Sequence, residues 1–574
     1  MTASEQFLLE LEALMESEFF SQRKNNGHGQ EEDIFDVNRN YSYTPLHGES
    51  SIRLLSLLPG NRDDPLKGRL LYVSHKNTEA YEALSYTWGN HHKPCQIILS
   101  EGTLQITESL YTALSHLRNE NGRRLLWVDA ICIDQSNNEE RSQQVMLMPK
   151  IFSAASWVLA WLGEEDSNGR VALQLLQKIG ETDFSALPQK QVSVAWMQDH
   201  GLPLQGNPLW RHLLTFWQRP WFRRLWVVQE FVLAKDVYML CGELQVHWKS
   251  LASGLEKMTE YTLLDWGMFF SSGPAAEEEK NLAFAGATNM RLMLEIKNAS
   301  SMSRLFANTV RSFSERDESA LREFREGSWS RIPYVQDLVM ALRQMPQETQ
   351  VTTDVLEEVI EGLMGIFGVQ QLGVKLPLIR LLPMFEYADA TEPRDRLFSL
   401  LGIAEDGSNK SYYPDYDESI ESVLVRFSKT FVENGHGIET LYKAGISDRD
   451  IELPSWVPDW TKTELSKTKI LAVSALTGLS YAAAADVPAQ IRLSSIEGEL
   501  VIAGGHLDDI TKTLPFPFQS IIEDADSTGH FASGLRAFFA EADQMFSNCD
   551  SYITGEPLSE VQWRTLATSD QRNI

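Results

Sequence analysis

Cysteine is scarce in this 574-residue chain: Cys95, Cys132, Cys241 and Cys549 stand far apart, with no C-x-x-C spacing. That pattern excludes a dense disulfide framework, argues against a structural zinc site and predicts a reducing, cytoplasmic setting. Positive charge is also in short supply. With 51 basic against 79 acidic side chains the net charge is -28, and so negative a surface repels phosphate backbones, so nucleic acid is not an expected partner. Long apolar runs are missing too. The longest, Ile470 to Ala485, is interrupted by Ser474, Thr477, Gly478 and Ser480, and is too short to span a bilayer comfortably. The first twenty residues, MTASEQFLLELEALMESEFF, lack the basic start and apolar centre of a secretory signal. They place Phe7, Leu8, Leu11, Leu14, Met15 and Phe19 on one stripe of an acidic amphipathic helix, a pattern that favours docking over membrane anchoring. Absent as well are H-E-x-x-H, G-x-S-x-G, the P-loop and the glycine-rich dinucleotide fingerprint, so no metal, flavin or covalent nucleophile is called for and a Rossmann dehydrogenase is disfavoured.

Core-forming material is abundant: the chain is 43% hydrophobic and has fifteen tryptophans. At a prior of about 150 residues per domain, its length predicts three or so folded units. Residues 1–40 read as the N-terminal helix and a polar linker, and 41–250 as an α/β domain. A helical region is expected over 251–385, a helix-and-turn segment packing on the core over 386–462, and a mixed α/β region over 463–574. Within 41–250, apolar runs at Ser51–Leu58, Arg69–Ser74, Tyr81–Trp88, Leu125–Asp129, Ser156–Gly163 and Asp236–Cys241 predict strands, and Gln96–Thr107 predicts a hairpin. Helices are expected over Glu108–Asn119 and over Ser136–Ala155, the latter opened by a capping box at Ser136 and kinked at Pro149. Near-continuous apolar strands alternating with helices indicate a mostly parallel sheet covered on both faces.

The densest concentration of unusual residues is RPWFRRLWVVQEFVLA, Arg219 to Ala234. It reads as one mostly apolar helix with a single carboxylate, Glu230, deep inside it. On a period of about 3.6 residues Arg223, Trp226, Val227 and Glu230 share a face. A buried acid loses hydration, so it either pairs with an arginine and locks two elements together or marks a site of chemistry.

Three blocks in order, YEALSYTWG at Tyr81, LWVDAICIDQSNNEERSQQVMLMPKIFSAASWVLAWLG at Leu126 and RPWFRRLWVVQEFVLA at Arg219, resemble the fungal heterokaryon incompatibility (HET) domain. SIRLLSLLPG, EPRDRLFSLLG and LPSWVPDW resemble segments that accompany it. Asp134, where the family usually carries Asn, and Pro149 are departures. The resemblance implies a role in non-self recognition and regulated cell death after incompatible cells fuse, with a homo-oligomer through the HET core and an unknown protein trigger as partners. The domain is also similar, at a distance, to TIR domains, which implies a TIR-like, flavodoxin-like fold. Some TIR domains cleave nicotinamide from NAD using a glutamate in a W-x-x-x-E pattern, and Trp226 to Glu230 has that spacing.

On that resemblance Glu230 is the expected catalytic residue of an NAD hydrolase, stabilising the positive charge that grows on the ribose. NAD would be substrate, not cofactor. Ligands gather at the carboxyl ends of parallel strands, which puts Trp88, Gly89, Asp129 and Asp134 near the pocket. Trp88 would stack on a ring or close a loop, Asp129 contact ribose or cap a turn, and Arg141 meet phosphate or a carboxylate. Arg223 and Trp226 complete the expected substrate-binding set. The competing class is a non-enzymatic, self-associating adaptor on the same core. Cys132 reads as a buried small hydrophobe, and Arg394, Asp395 and Arg396 as a charged clamp between regions.

Overall fold

The computed structural model describes residues 35–263, 279–298, 376–444, 451–461 and 490–503, apart from short gaps within them. The chain divides into two compact units, residues 1–502 and 503–574. The second lies almost wholly outside the described residues, as do the expected N-terminal helix, most of the region 264–375 and the tract Ile470–Ala485.

Among the described residues the first unit is built on a nine-stranded sheet in the order β5-β4-β2-β1-β6-β3-β7-β8-β9. Its strands are β1 (Ser51–Leu57), β2 (Lys67–Ser74), β3 (Glu82–Tyr86), β4 (Cys95–Leu99), β5 (Gly102–Ile106), β6 (Arg124–Trp127), β7 (Val158–Trp161), β8 (Val237–Cys241) and β9 (Leu244–His247). At its centre β6, β3, β7 and β8 run parallel. All four residues of β7, VLAW, are buried, as expected of a strand covered on both faces. In chain order these strands stand second, first, third and fourth, the flavodoxin-like arrangement, and outgoing connections diverge between β3 and β7. That divergence opens a crevice at the carboxyl ends of the two strands. The outer pairings β1–β2, β1–β6, β4–β5 and β8–β9 are antiparallel. The short β9 follows a tight turn at Gly242, φ +57, and was not expected from the sequence.

Helices α1 (Glu108–Leu117), α2 (Asn138–Ala154), α3 (Ser167–Glu181), α4 (Leu209–Trp217), α5 (Leu225–Leu233) and α6 (Trp248–Glu260) accompany the sheet. Thr107 caps α1 and Asp166 caps α3 through their side-chain oxygens, each satisfying an amide the first turn cannot. The cap of α2 is Asn137, one residue later than expected, whose Oδ1 accepts from the Glu140 amide at 3.1 Å. Ser136 is drawn off by Asp134, to which its hydroxyl donates at 2.6 Å. Helices α3 and α6 approach closely because position 254 is glycine: a Cβ there would overlap the Leu176 carbonyl.

Beyond the sheet come α7 (residues 279–298), α8 (Leu378–Met384), a single helical turn at Asp395–Phe398, α9 (Ile420–Glu433) and α10 (Gly437–Ala444). Strands β10 (Gln490–Leu493) and β11 (Leu500–Ala503) form a separate two-stranded sheet. The helix expected over Thr391–Leu401 shrinks to that one turn. Tertiary hydrogen bonds claim its ends instead: Arg394 donates to the Tyr416 and Glu418 carbonyls, and the Gly402 amide donates to Gln229 Oε1. Among the described residues no helix is long and apolar enough to cross a membrane.

Candidate functional site

The single helix expected over Arg219–Ala234 is two elements. Pro220–Arg223 form a 3-10 turn, Arg224 is extended with φ -70 and ψ 122, and α5 begins at Leu225. The break is imposed from outside. Asp389 lies alongside as an isolated β-bridge to Arg224: its amide donates to the Arg223 carbonyl and its own carbonyl accepts from the Leu225 amide at 2.9 Å. A chain that must pair sideways there cannot keep a helical ψ.

The break also changes which arginine meets Glu230. Arg223 does not share the helical face assigned to it; its guanidinium reaches Asp389 Oδ2 at 2.9 Å. Arg224 points inward instead, with Nη1 3.5 Å from Glu230 Oε1 and Nη2 3.5 Å from Asp129 Oδ2. Its Nη1 also donates to the Tyr86 carbonyl, at the end of β3, at 2.7 Å.

Glu230 is 2% exposed. The Ser85 hydroxyl, on β3, donates to its Oε2 at 2.5 Å, and the Trp221 indole N–H donates to the same Ser85 oxygen at 2.9 Å. Burial pushes the carboxyl up to about 7; Arg224 and the Ser85 hydroxyl pull it down, and the neighbouring Asp129 carboxylate pushes it further up. Desolvation dominates because the Arg224 guanidinium is shared between two acids, Glu230 and Asp129. Toward the surface, Trp88 Nε1 donates to Asp129 Oδ2 at 2.9 Å, the Arg224 guanidinium lies 6.0 Å from the Trp88 ring, and Gly89 adopts φ +69 in the loop after β3. The expected residues Trp88, Asp129 and Glu230 are thus joined through Arg224 at the sheet's carboxyl edge, and Gly89 stands in the loop that follows β3.

The remaining expected residues are engaged elsewhere. Asp134 holds the turn into α2 through the Ser136 amide and hydroxyl. Arg141 lies 3.4 Å over the Tyr416 ring. The Trp226 indole donates to Asp395 Oδ2 at 2.9 Å, and Asp395 Oδ1 accepts from the Tyr416 hydroxyl at 2.7 Å. Burial raises the Asp395 carboxyl, against the pull of those two donors. Arg141 and Trp226, with Asp395 and Tyr416, form a seam between the sheet domain and residues 389–418.

Sequence reasoning passed over Ser85, Trp221 and Arg224. The signal for Ser85 was present, a lone hydroxyl in the apolar run EALSY. Arg224 could not be told from Arg223 without knowing where the helix begins. The buried Cys132 thiol, pushed up to about 12 by desolvation, has no part in such a site. Among the described residues no cluster of His, Cys, Asp and Glu is arranged to hold a metal ion.

The model of the family described as heterokaryon incompatibility protein (HET) matches residues 81–230, from the residue before β3 to Glu230 itself. This chain carries a HET domain. A relative from Neurospora crassa, heterokaryon incompatibility protein 6, OR allele, is 26% identical over 458 residues, covering 71% of this chain and 57% of the relative. The chain therefore spans a little over half the length of that curated relative. No solved structure matches. The matched HET segment takes in Ser85, Trp88, Asp129, Trp221, Arg224 and Glu230. The seam partners Asp389, Asp395 and Tyr416 lie outside it.

Proposed function

We propose that this protein acts in fungal heterokaryon incompatibility and cell death, its HET domain working as a self-associating adaptor that gathers partners. The observation that carries this choice is the sealing of Glu230. At 2% exposure, with one oxygen taken by Ser85 and the other facing Arg224, the carboxylate holds β3, the Trp221 turn and α5 together. A group so engaged stabilises the fold before it meets any ribose.

A second reading, NAD hydrolysis through Glu230, has its own support. The carboxylate hangs from the penultimate residue of β3, beside the crevice where sheets of this strand order take ligands. Trp88 and Asp129, at the ends of β3 and β6, supply a ring and an acceptor for a nucleotide. This reading requires Arg224 and Trp221 to move first.

Nicotinamide release from NAD by the purified full chain separates the two. The adaptor reading expects none, at high concentration and under conditions that drive assembly, from native protein or from Glu230→Gln. Release by native protein that Glu230→Gln abolishes overturns it in favour of hydrolysis. Overproduction in a fungal host tests the shared claim, which requires growth arrest.

A further inference from the structure

Residues 219–224 lie across the carboxyl ends of the two strands that flank the crevice, and α5 then runs back along the sheet toward the start of β8. At one end Arg219 Nη1 donates to the Leu162 carbonyl, just after β7, at 2.7 Å, and its Nη2 pairs with Asp166 at 2.8 Å. At the other, Arg224 donates to the Tyr86 carbonyl, at the end of β3. The crevice that this strand order opens is therefore covered by the chain's own turn.

Two segments from outside the matched HET domain hold that cover in place. From α7, the Asn289 amide donates to the Phe222 carbonyl at 3.2 Å. The Lys297 ammonium, 2% exposed, donates to the carbonyls of Phe231 at 3.1 Å and Ala234 at 2.5 Å. These are the carbonyls that the last turn of α5 leaves without helical partners, at the negative end of the helix dipole. From residues 389–402, Asp389 bridges Arg223 to Leu225, Asp395 accepts from Trp226, and the Gly402 amide donates to Gln229 Oε1 at 2.9 Å. Position 402 has no space for a side chain, since a Cβ would overlap Gln229 Oε1 and Pro149 Cγ.

We propose that residues 219–224 are a lid closed over the β3–β7 crevice and over Glu230, and that residues 279–298 and 389–402 are its latch, holding both the lid and the helix α5 that continues it. The latch is an autoinhibitory contact: whatever draws those segments away frees the HET domain's central acid and its crevice together. The lid stands whichever reading of the domain's output holds, and its test reads no turnover.

Hydrogen exchange and carbodiimide coupling of a small amine to Glu230, both followed by mass spectrometry, test it on the full chain. In native protein Glu230 stays unlabelled. Gly402→Ala is expected to raise exchange across residues 219–233 by about tenfold, as local opening does, to label Glu230, and to leave β1 and β6 unchanged. Lys297→Met, which removes the latch at the far end of α5, is expected to do the same. Unchanged exchange and labelling in both variants overturns the proposal. So does a uniform rise through β1, β6 and the lid alike, which would make these contacts ordinary core.

Discussion

The Ser85 hydroxyl and the Glu230 carboxylate meet in a 2.5 Å hydrogen bond across 145 residues of chain. It ties the central strand β3 to the helix that closes the HET domain, and both groups are buried. The bond survives burial because Trp221 supplies the Ser85 oxygen with a donor of its own and Arg224 faces the second carboxylate oxygen.

The raised carboxyl of Glu230 sets a pH dependence. Its folded value is about 7 against an ordinary 4.5, so between those values the folded chain keeps a proton that the unfolded chain has released. Stability therefore falls as pH rises through that window, by up to about 3 kcal/mol for this group. Thermal unfolding at pH 5 and pH 8 should show the loss in native protein and a smaller one in Glu230→Gln. Equal losses in the two proteins would contradict it.

Arg224→Met leaves Glu230 and Asp129 facing each other without their shared cation. The variant should be destabilised by about 2–4 kcal/mol in denaturant unfolding at pH 8. Much of that loss should disappear at pH 5, where Glu230 takes up a proton.

Trp226→Phe removes one of the two donors to Asp395 while keeping an aromatic ring on α5. A double-mutant cycle with Asp395→Asn should give a coupling of about 1–2 kcal/mol. A coupling near zero would show that the seam holds by packing alone.

Farther along the sheet, Arg53, 0% exposed, pairs with Glu140 at 2.5 Å and also donates to the Cys132 and Thr44 carbonyls. Arg53→Met alone should cost about 3–5 kcal/mol, because it strands a buried acid. Adding Glu140→Leu should recover part of that in equilibrium unfolding.

Much of the architecture was legible in the chain. The apolar runs Tyr81–Trp88, Leu125–Asp129 and Ser156–Gly163 announced buried strands because a strand covered on both faces has little polar side to show. Glu230 stood out because an acid amid apolar residues is costly wherever it lands. The strand order was not legible in the runs themselves: that β6 returns beside β3 and that β7 crosses to its other side depend on pairing between distant segments.

What the sequence determined by itself is the composition of the HET blocks, the buried strands and the presence of one anomalous carboxylate, all consequences of local pattern. Tertiary structure alone decided that Arg224, not Arg223, faces Glu230, since a β-bridge from Asp389 breaks the helix between them. It also decided that Trp226 turns to Asp395 and that Lys297 caps α5. Those choices belong to hydrogen-bonding groups whose partners lie scores of residues away, where no periodicity within one segment can point.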